Sequence, residues 1–410
     1  MDNKSLTIVR DLLSIGDATR FKIKEEEFLD SRIFLLFSIP LSVILLKICS
    51  LLELSMENFT SRGVDVKSMG SARPGPITKP MEQKELLRLQ ALVMKSLREY
   101  MDERGFLETF HPGITQATGS CEAIANIFVL AERKFLTLSQ TAQLYMEGLL
   151  IQSQLPRMFT SGRSFRREVE NDGRHLNDFE LFEWEALDID LAKLVQYNNE
   201  LVEHVIVRVL RSNILERERQ RILYYWLDLW KDPMSPREIT YHTAMTYLRN
   251  IEFTVPDLEL GDEQVRLIQT GDDFDRKAEW KLTEYYGIVQ VTHYPENIKF
   301  FNMERSRDQK SHPGCVECVD MLLPYAGETI GGSAREYDYK ILKDKLYFST
   351  MLQHLIALNC QRGGDADEIY GSFDAYLDLF KNEQYPRAGA GKGLGRVLQF
   401  LTASDSIRPF

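Results

Sequence analysis

Residues 165–185, FRREVENDGRHLNDFELFEWE, carry seven carboxylates, three arginines and one histidine in twenty-one positions. Two alternating segments flank Asn171–Asp172–Gly173, a turn sequence that closes a β-hairpin. On a strand, residues two apart face the same way. Arg166 and Glu168 therefore share a face of the first arm, and Phe179, Leu181 and Glu183 share one of the second. If those faces coincide, one cleft holds a guanidinium, two carboxylates and an aromatic plate. That set suits ATP and an amino acid. The planar fork of an arginine neutralises phosphate, an aromatic face stacks on adenine, and a carboxylate holds an ammonium. Taken singly, the same residues are also what a charged sheet edge or a surface ion pair looks like.

A chain of 410 residues buries a large core, and its length favours two or three domains. The net charge of −11 argues against a surface made to grip a phosphate backbone. Five cysteines, few and odd in number, fit a reducing compartment, so a cytoplasmic protein is expected. The uncharged run Ile33–Leu46 falls short of the ~20 residues of a bilayer-spanning helix and contains Pro40. It reads as a buried or partner-facing segment rather than a membrane anchor. Residues 1–80 form an N-terminal region that closes on the linker-like GSARPGPITKP at 70–80. Beyond it, Leu86, Leu89, Val93, Leu97 and Tyr100 recur at helical steps and predict an amphipathic helix over Met81–Arg104, ended by Gly105. Strands are expected near Lys134–Leu138, Met158–Phe165, Phe179–Leu187, Ile288–His293, Val316–Leu323 and Glu328–Gly332. A long helix is expected from Leu191 to about Arg211, running on toward Trp230, and a last one from Leu394. The order is α+β, with mixed strands rather than βαβ alternation.

The hairpin resembles motif 2 of the class II aminoacyl-tRNA synthetases, in particular the asparaginyl type of the aspartyl, asparaginyl and lysyl subgroup. VDMLLPYAGETIGGSAR (319–335) is similar to that family's next block, and GAGKGLGRVLQFLTASDSIR (389–408) to its motif 3. LSQTAQLYME (138–147), GDDFDRKAE (271–279) and HYPENIKFFNM (293–303) are weaker matches in the same order. The helix over Met81–Arg104 is placed like motif 1, which builds the dimer interface, so the resemblance implies a homodimer. Over 81–410 it implies an α+β catalytic domain: an antiparallel sheet of six or seven strands flanked by helices, with ATP bent over it. Arg166 would meet the α-phosphate, Glu168 the adenine side or a magnesium-linked water, and Arg174 and His175 would close over the outer phosphates. Phe179 and Arg396 would sandwich adenine. Asp320 and Glu328 would hold Mg²⁺. Glu122, Gln143 and Glu183 would bind the α-amino group and Arg335 the side-chain carbonyl. Arg166, Glu328 and Arg396 would carry catalysis, chiefly by positioning and charge neutralisation.

Met146 stands where aspartate-specific relatives place a lysine that pairs with the β-carboxylate. A thioether cannot pair with a carboxylate, so the pocket is expected to take asparagine or an asparagine-like group. The chain also departs from the family. Residues 1–80 show no likeness to the OB domain that reads the anticodon. Gly395 replaces an acidic residue before Arg396, Thr141–Ala142 replace Ser-Gly, Ala123 replaces glycine and Ala278 histidine. These departures point away from tRNA as partner more than from ATP as cofactor. The resemblance then implies an AMP-forming ligase outside translation, similar to archaeal asparagine synthetases. It would activate a carboxylate or carboxamide, free or in a peptide, toward an amide or a nitrile. A tRNA ligase with an unusual N-terminal region and a non-catalytic paralogue are the alternatives. HPGCVEC (312–318) offers one Cys-x-x-Cys and one histidine, too few ligands for a zinc site.

Overall fold

The computed structural model describes residues 73–116, 127–130, 135–167, 176–235, 237–257, 264–382 and 384–408. The apolar run 33–46 lies outside them. Among the described residues, no helix is long and apolar enough to cross a membrane.

Helix α1 (Gln83–Asp102) buries the leucines, valine and tyrosine whose spacing predicts it. It stops where Gly105 takes φ 73° and the Phe106 N–H donates to the Met101 carbonyl at 3.0 Å, a left-handed turn that glycine makes without strain. Short strands β1 (Leu107–Glu108), β2 (Ile114–Thr115) and β3 (Thr137–Leu138) follow. Helix α2 (Gln143–Ser153) then leads into the hairpin arms β4 (Arg157–Phe165) and β5 (Asp178–Leu187). The long helix expected next is two: α3 (Leu191–Ser212) and α4 (Arg217–Lys231). Asn213 breaks them apart at φ 56°, a conformation asparagine tolerates better than most side chains.

The chain continues through β6 (Glu238–Thr240), α5 (Tyr241–Asn250), β7 (Thr254–Pro256), β8 (Val265–Leu267) and α6 (Arg276–Tyr286). Strands β9 (Val289–Thr292), β10 (Cys318–Leu323) and β11 (Gly327–Arg335) precede three helices, α7 (Tyr339–Tyr347), α8 (Thr350–Gln361) and α9 (Ala366–Asp378). Strand β12 (Arg387–Gly393) and helix α10 (Leu394–Leu401) complete the series.

Eight strands form the main sheet in the order β1-β4-β5-β12-β11-β10-β9-β6. The six in the middle are antiparallel throughout, as the resemblance implies, and the short edge strands β1 and β6 add parallel pairs. Alternation separates the two faces. Phe182, Trp184 and Ala186 of β5, Ile330 and Ala334 of β11, and Ala388 and Ala390 of β12 point into the main core with α1, α3, α4 and α10. Their neighbours in sequence point the other way and build the site. A second apolar cluster joins α7, α8 and α9 to Leu144 of α2 and to Phe300 and Phe301.

Residues 73–80, read from sequence as linker, lie along this body. The Ile77 N–H donates to the Ala403 carbonyl at 2.7 Å. Arg219, 2 % exposed, donates to the carbonyls of Lys79 and Thr402. The Tyr325 hydroxyl donates to the Pro74 carbonyl at 2.7 Å.

Candidate active site

Phe179, Leu181, Glu183 and Glu185, spaced by two along β5, all line one cavity. The shared face of Phe179, Leu181 and Glu183 therefore extends one step further, to Glu185. Both glutamates lie across β12 rather than beside it. Gly389 is the register partner of Glu185 and Gly391 that of Glu183. A Cβ on Gly389 would sit 2.2 Å from the Glu185 carboxylate, and one on Gly391 would sit 3.3 Å from Glu183 Cγ. The glycines of AGAGKG thus make a channel in which two acidic side chains lie flat over a strand. This also explains a strand in so glycine-rich a segment, against its propensity.

Glu185 uses that channel to reach β11. Its carboxylate accepts from Arg335 Nη2 at 2.6 Å and from Nε at 3.4 Å, while Arg335 Nη1 donates to Ser333 Oγ at 2.6 Å. Both charged groups line the cavity and both are buried. Burial pushes the Glu185 carboxyl up to about 7 against the pull of Arg335. For Arg335 burial works in the opposite sense, yet Glu185 and Glu147 outweigh it and hold the guanidinium above its ordinary range. Glu183 accepts from the Ala142 N–H at 2.8 Å and from the Thr141 hydroxyl, both at the start of α2. Burial raises its pKa, opposed by those two donors and by His111 and Arg166. Gln143, one residue further along α2, lines the same end of the cavity.

At the other end, Arg166 carries its guanidinium carbon 5.3 Å from the centroid of the Phe179 ring. Asp320 and Glu328 converge here for a reason of backbone shape. In the β10–β11 pair the register shifts between Met321 and Leu322, which leaves Thr329 without an opposite number. Such a bulge re-aims the flanking side chains. It turns Glu328 to the side of Gly331, so that a Cβ on Gly331 would meet Glu328 Oε1 at 2.9 Å and Asp320 Oδ1 at 3.5 Å. The Glu328 N–H donates to Glu279 Oε2 at 3.2 Å. Arg396, from α10, donates to the Glu328 carbonyl and stands 3.8 Å from its Oε2. Lys299, from the block 293–303, lines the cavity and places its ammonium 2.8 Å from Asp320 Oδ2. Two hard carboxylates meeting over a glycine fit a magnesium ion. Among the described residues no group of three or more His, Cys, Asp or Glu could hold a metal. The remaining ligands would have to come from water or phosphate.

Of the residues named from sequence, Gln143, Arg166, Phe179, Glu183, Asp320, Glu328, Arg335 and Arg396 come together in this cavity. Glu122, Glu168, Arg174 and His175 lie outside the described residues. Met146 is not brought to the cavity. It is fully buried in an apolar cluster with Ala142, Leu150 and Met158, on the side of α2 that packs on β4. Glu147, four residues after Gln143 and therefore on its side of the helix, accepts from the Gln143 amide at 3.4 Å and lies behind the cavity without lining it. The amide preference read from Met146 has to rest on other residues. In HPGCVEC, His312 stacks on His293 with ring centroids 3.8 Å apart, and Cys318 is a core residue.

The sequence profile of the class II tRNA synthetases (D, K and N) matches residues 78–410. An asparagine–tRNA ligase of Thermococcus kodakarensis is 30% identical over 331 residues, which cover 79% of this chain and 67% of the relative. One from Pelotomaculum thermopropionicum is 29% identical over 338 residues, covering 80% and 67%. Among solved structures, the asparaginyl-tRNA synthetase of Pyrococcus horikoshii complexed with asparaginyl-adenylate superposes with a TM-score of 0.61. That match has 26% identity and covers 80% of this chain and 67% of that one. The Entamoeba histolytica asparaginyl-tRNA synthetase shares the fold, with a TM-score of 0.62 at 24% identity over 80% of this chain and 66% of its own. The chain thus spans about two thirds of the length of these relatives.

Proposed function

The chain belongs to the class II tRNA synthetases of the D, K and N group, and on that premise we propose that it is an ATP-dependent ligase that forms an aminoacyl adenylate from asparagine or an asparagine-like residue. The observation that carries the substrate class is the Glu185–Arg335 pair on the cavity floor. A carboxamide is a donor and an acceptor at once. Arg335 donates to its carbonyl oxygen and Glu185 accepts from its NH₂, which a free carboxylate cannot provide. The relative solved with asparaginyl-adenylate supports the same class.

In this reading Glu183 and Gln143 hold the α-ammonium, Phe179 and Arg396 enclose the adenine, and Arg166 lies against the α-phosphate. Asp320 and Glu328 would hold Mg²⁺, which when bound neutralises phosphate charge. A substrate oxygen attacks the α-phosphorus, the bond to the bridging oxygen breaks, and pyrophosphate leaves with its electron pair. No protein nucleophile is needed. Arg166 stabilises the charge on the five-coordinate phosphorus, and the buried floor holds the substrate at attack distance. Exposed Leu87, Leu107, Phe110 and Ile114, around the helix placed like motif 1, support a homodimer.

The adenylate is passed to an acceptor outside translation, such as ammonia, another amine or a peptide. Where a carboxamide oxygen is activated, the nitrogen gives up one proton to solvent as the O–P bond forms; loss of its second proton then breaks the C–O bond, AMP leaves with that oxygen and a nitrile remains. Transfer to tRNA is the second reading, favoured by the names of the relatives. ATP–pyrophosphate exchange across a panel of amino acids and peptides tests the first step, with asparagine-dependent exchange expected. Mass spectrometry of products formed with ammonia, amines or tRNA separates the second. No exchange with any carboxylate or carboxamide substrate overturns the proposal.

A further inference from the structure

We propose that Glu147 and Arg387, from behind the cavity floor, determine which side chain that floor accepts; the inference rests on the adenylate-forming reading above. Arg335 of β11 and Arg387 of β12 are direct register partners, and both are buried. Like charges placed opposite one another across a sheet repel. Each arginine therefore needs its own carboxylate. Arg335 has Glu185. Arg387 has Glu147, which accepts from its Nε at 2.9 Å and also from its Nη2. Glu147 Oε1 also stands 3.9 Å from Arg335 Nε, so Glu185, Arg335, Glu147 and Arg387 follow one another with alternating sign.

Glu147 has no exposed surface, and its acceptor sites are filled by other groups as well. Tyr376 of α9 donates its hydroxyl at 2.8 Å, Asn302 its amide at 2.6 Å and Gln143 its amide at 3.4 Å. These donors fix the carboxylate in one geometry. Arg387 is likewise fastened, donating from Nη1 to the carbonyls of Glu336 and Tyr385. Of these four groups only Glu185 and Arg335 line the cavity.

Two positive and two negative groups sum to zero. A neutral carboxamide leaves that sum unchanged, while a carboxylate arriving on the floor adds an uncompensated charge to a buried site. Taking the charge from Glu147 leaves the floor positive and admits the carboxylate. Taking it from Arg387 leaves the floor negative and excludes the carboxylate more strongly. The discriminating charge is thus set by residues that do not line the cavity. Arg387 and Glu147 are positioning residues that act through Arg335.

The test measures kcat/KM for adenylate formation with L-asparagine and L-aspartate at pH 8 in the full chain, in E147Q, in R387M and in the double variant. E147Q is expected to raise the aspartate-to-asparagine ratio about tenfold or more, mainly through the KM for aspartate. R387M is expected to lower the ratio, and the double variant to return it toward that of the unsubstituted chain. A purely structural role slows both substrates alike, so an unchanged ratio in E147Q overturns the inference and leaves the functional reading standing. Should E147Q fail to fold, R387M and the double variant decide: a lowered then restored ratio supports the inference, and two unchanged ratios overturn it. Absence of exchange in the unsubstituted chain overturns the functional reading and this inference together.

Discussion

On the cavity side of β12, Arg387 is buried against Glu147 and Tyr376, and its guanidinium stays above its ordinary range although burial pulls it down. On the opposite side of the same strand, five residues along, Lys392 is buried to the same degree among Leu97, Leu201, Val205, Leu323 and Phe400. Its ammonium lies 4.7 Å from the Phe182 ring and has no hydrogen-bond partner among the described residues. Burial alone pushes its pKa down to about 7. The difference between the two faces lies in their partners. A sealed cation with matched carboxylates remains a cation, and one set among methyl groups gives up its proton near neutrality.

The largest effect expected from breaking the cavity side is that of R166A. Removing the guanidinium beside Phe179 should lower ATP–pyrophosphate exchange on the order of 10³-fold. Exchange within a few-fold of the unsubstituted chain would break the assignment of this end of the cavity.

The apolar side is probed by K392M. Between pH 7 and 10.5 the unfolded chain binds the proton that the folded chain releases, so the stability contributed at this position rises with pH across that window and is lowest below it. K392M removes the penalty. It should stabilise the protein by about 3 kcal/mol at pH 8, shrinking toward zero near pH 10.5, read by urea unfolding across the pH range. A gain that does not change with pH would show that Lys392 keeps its proton and that the two sides are more alike than the geometry indicates.

Two finer substitutions sharpen the picture of the cavity side. In G389A the new methyl falls on the Glu185 carboxylate, the far end of a flexible side chain that can move aside. The fold should survive while Glu185 leaves Arg335, with asparagine-dependent exchange down about 10²-fold and circular dichroism unchanged. Retained exchange would mean that the channel across β12 does not serve the floor. D320N should raise the magnesium concentration needed for half-maximal exchange by about tenfold, with little effect at saturating metal, because one of two hard ligands is lost. An unchanged magnesium titration would separate Asp320 from the metal.

The β5 arm was legible because its signal is local: alternation places Phe179, Leu181 and Glu183 on one face whatever surrounds them. The same rule reaches Glu185, two residues further along the strand. Helix α1 was legible for a similar reason, through spacing and Gly105. Other features had no local signal. The bulge at Thr329, which brings Glu328 round to Asp320, is a matter of strand pairing. Nothing local to Met146 says which way it points, and the packing of α2 on β4 turns it into an apolar cluster away from the cavity. Lys299, inside the block 293–303, and Arg387, just before the glycine run, carry no local signal because their partners are distant in sequence.

The amino-acid sequence by itself determined the helical and strand periods, the order of the blocks and the family to which the chain belongs. These depend on neighbours along the chain and on spacing, so they can be read before anything folds. The tertiary structure decided which charges meet. Glu185 finds Arg335 across a glycine on a third strand, Arg387 finds Glu147 from a helix 240 positions away, and Lys392 finds no hydrogen-bonding group among the described residues. Burial energies depend on what stands within a few ångströms in space, and that is fixed only when the strands have paired.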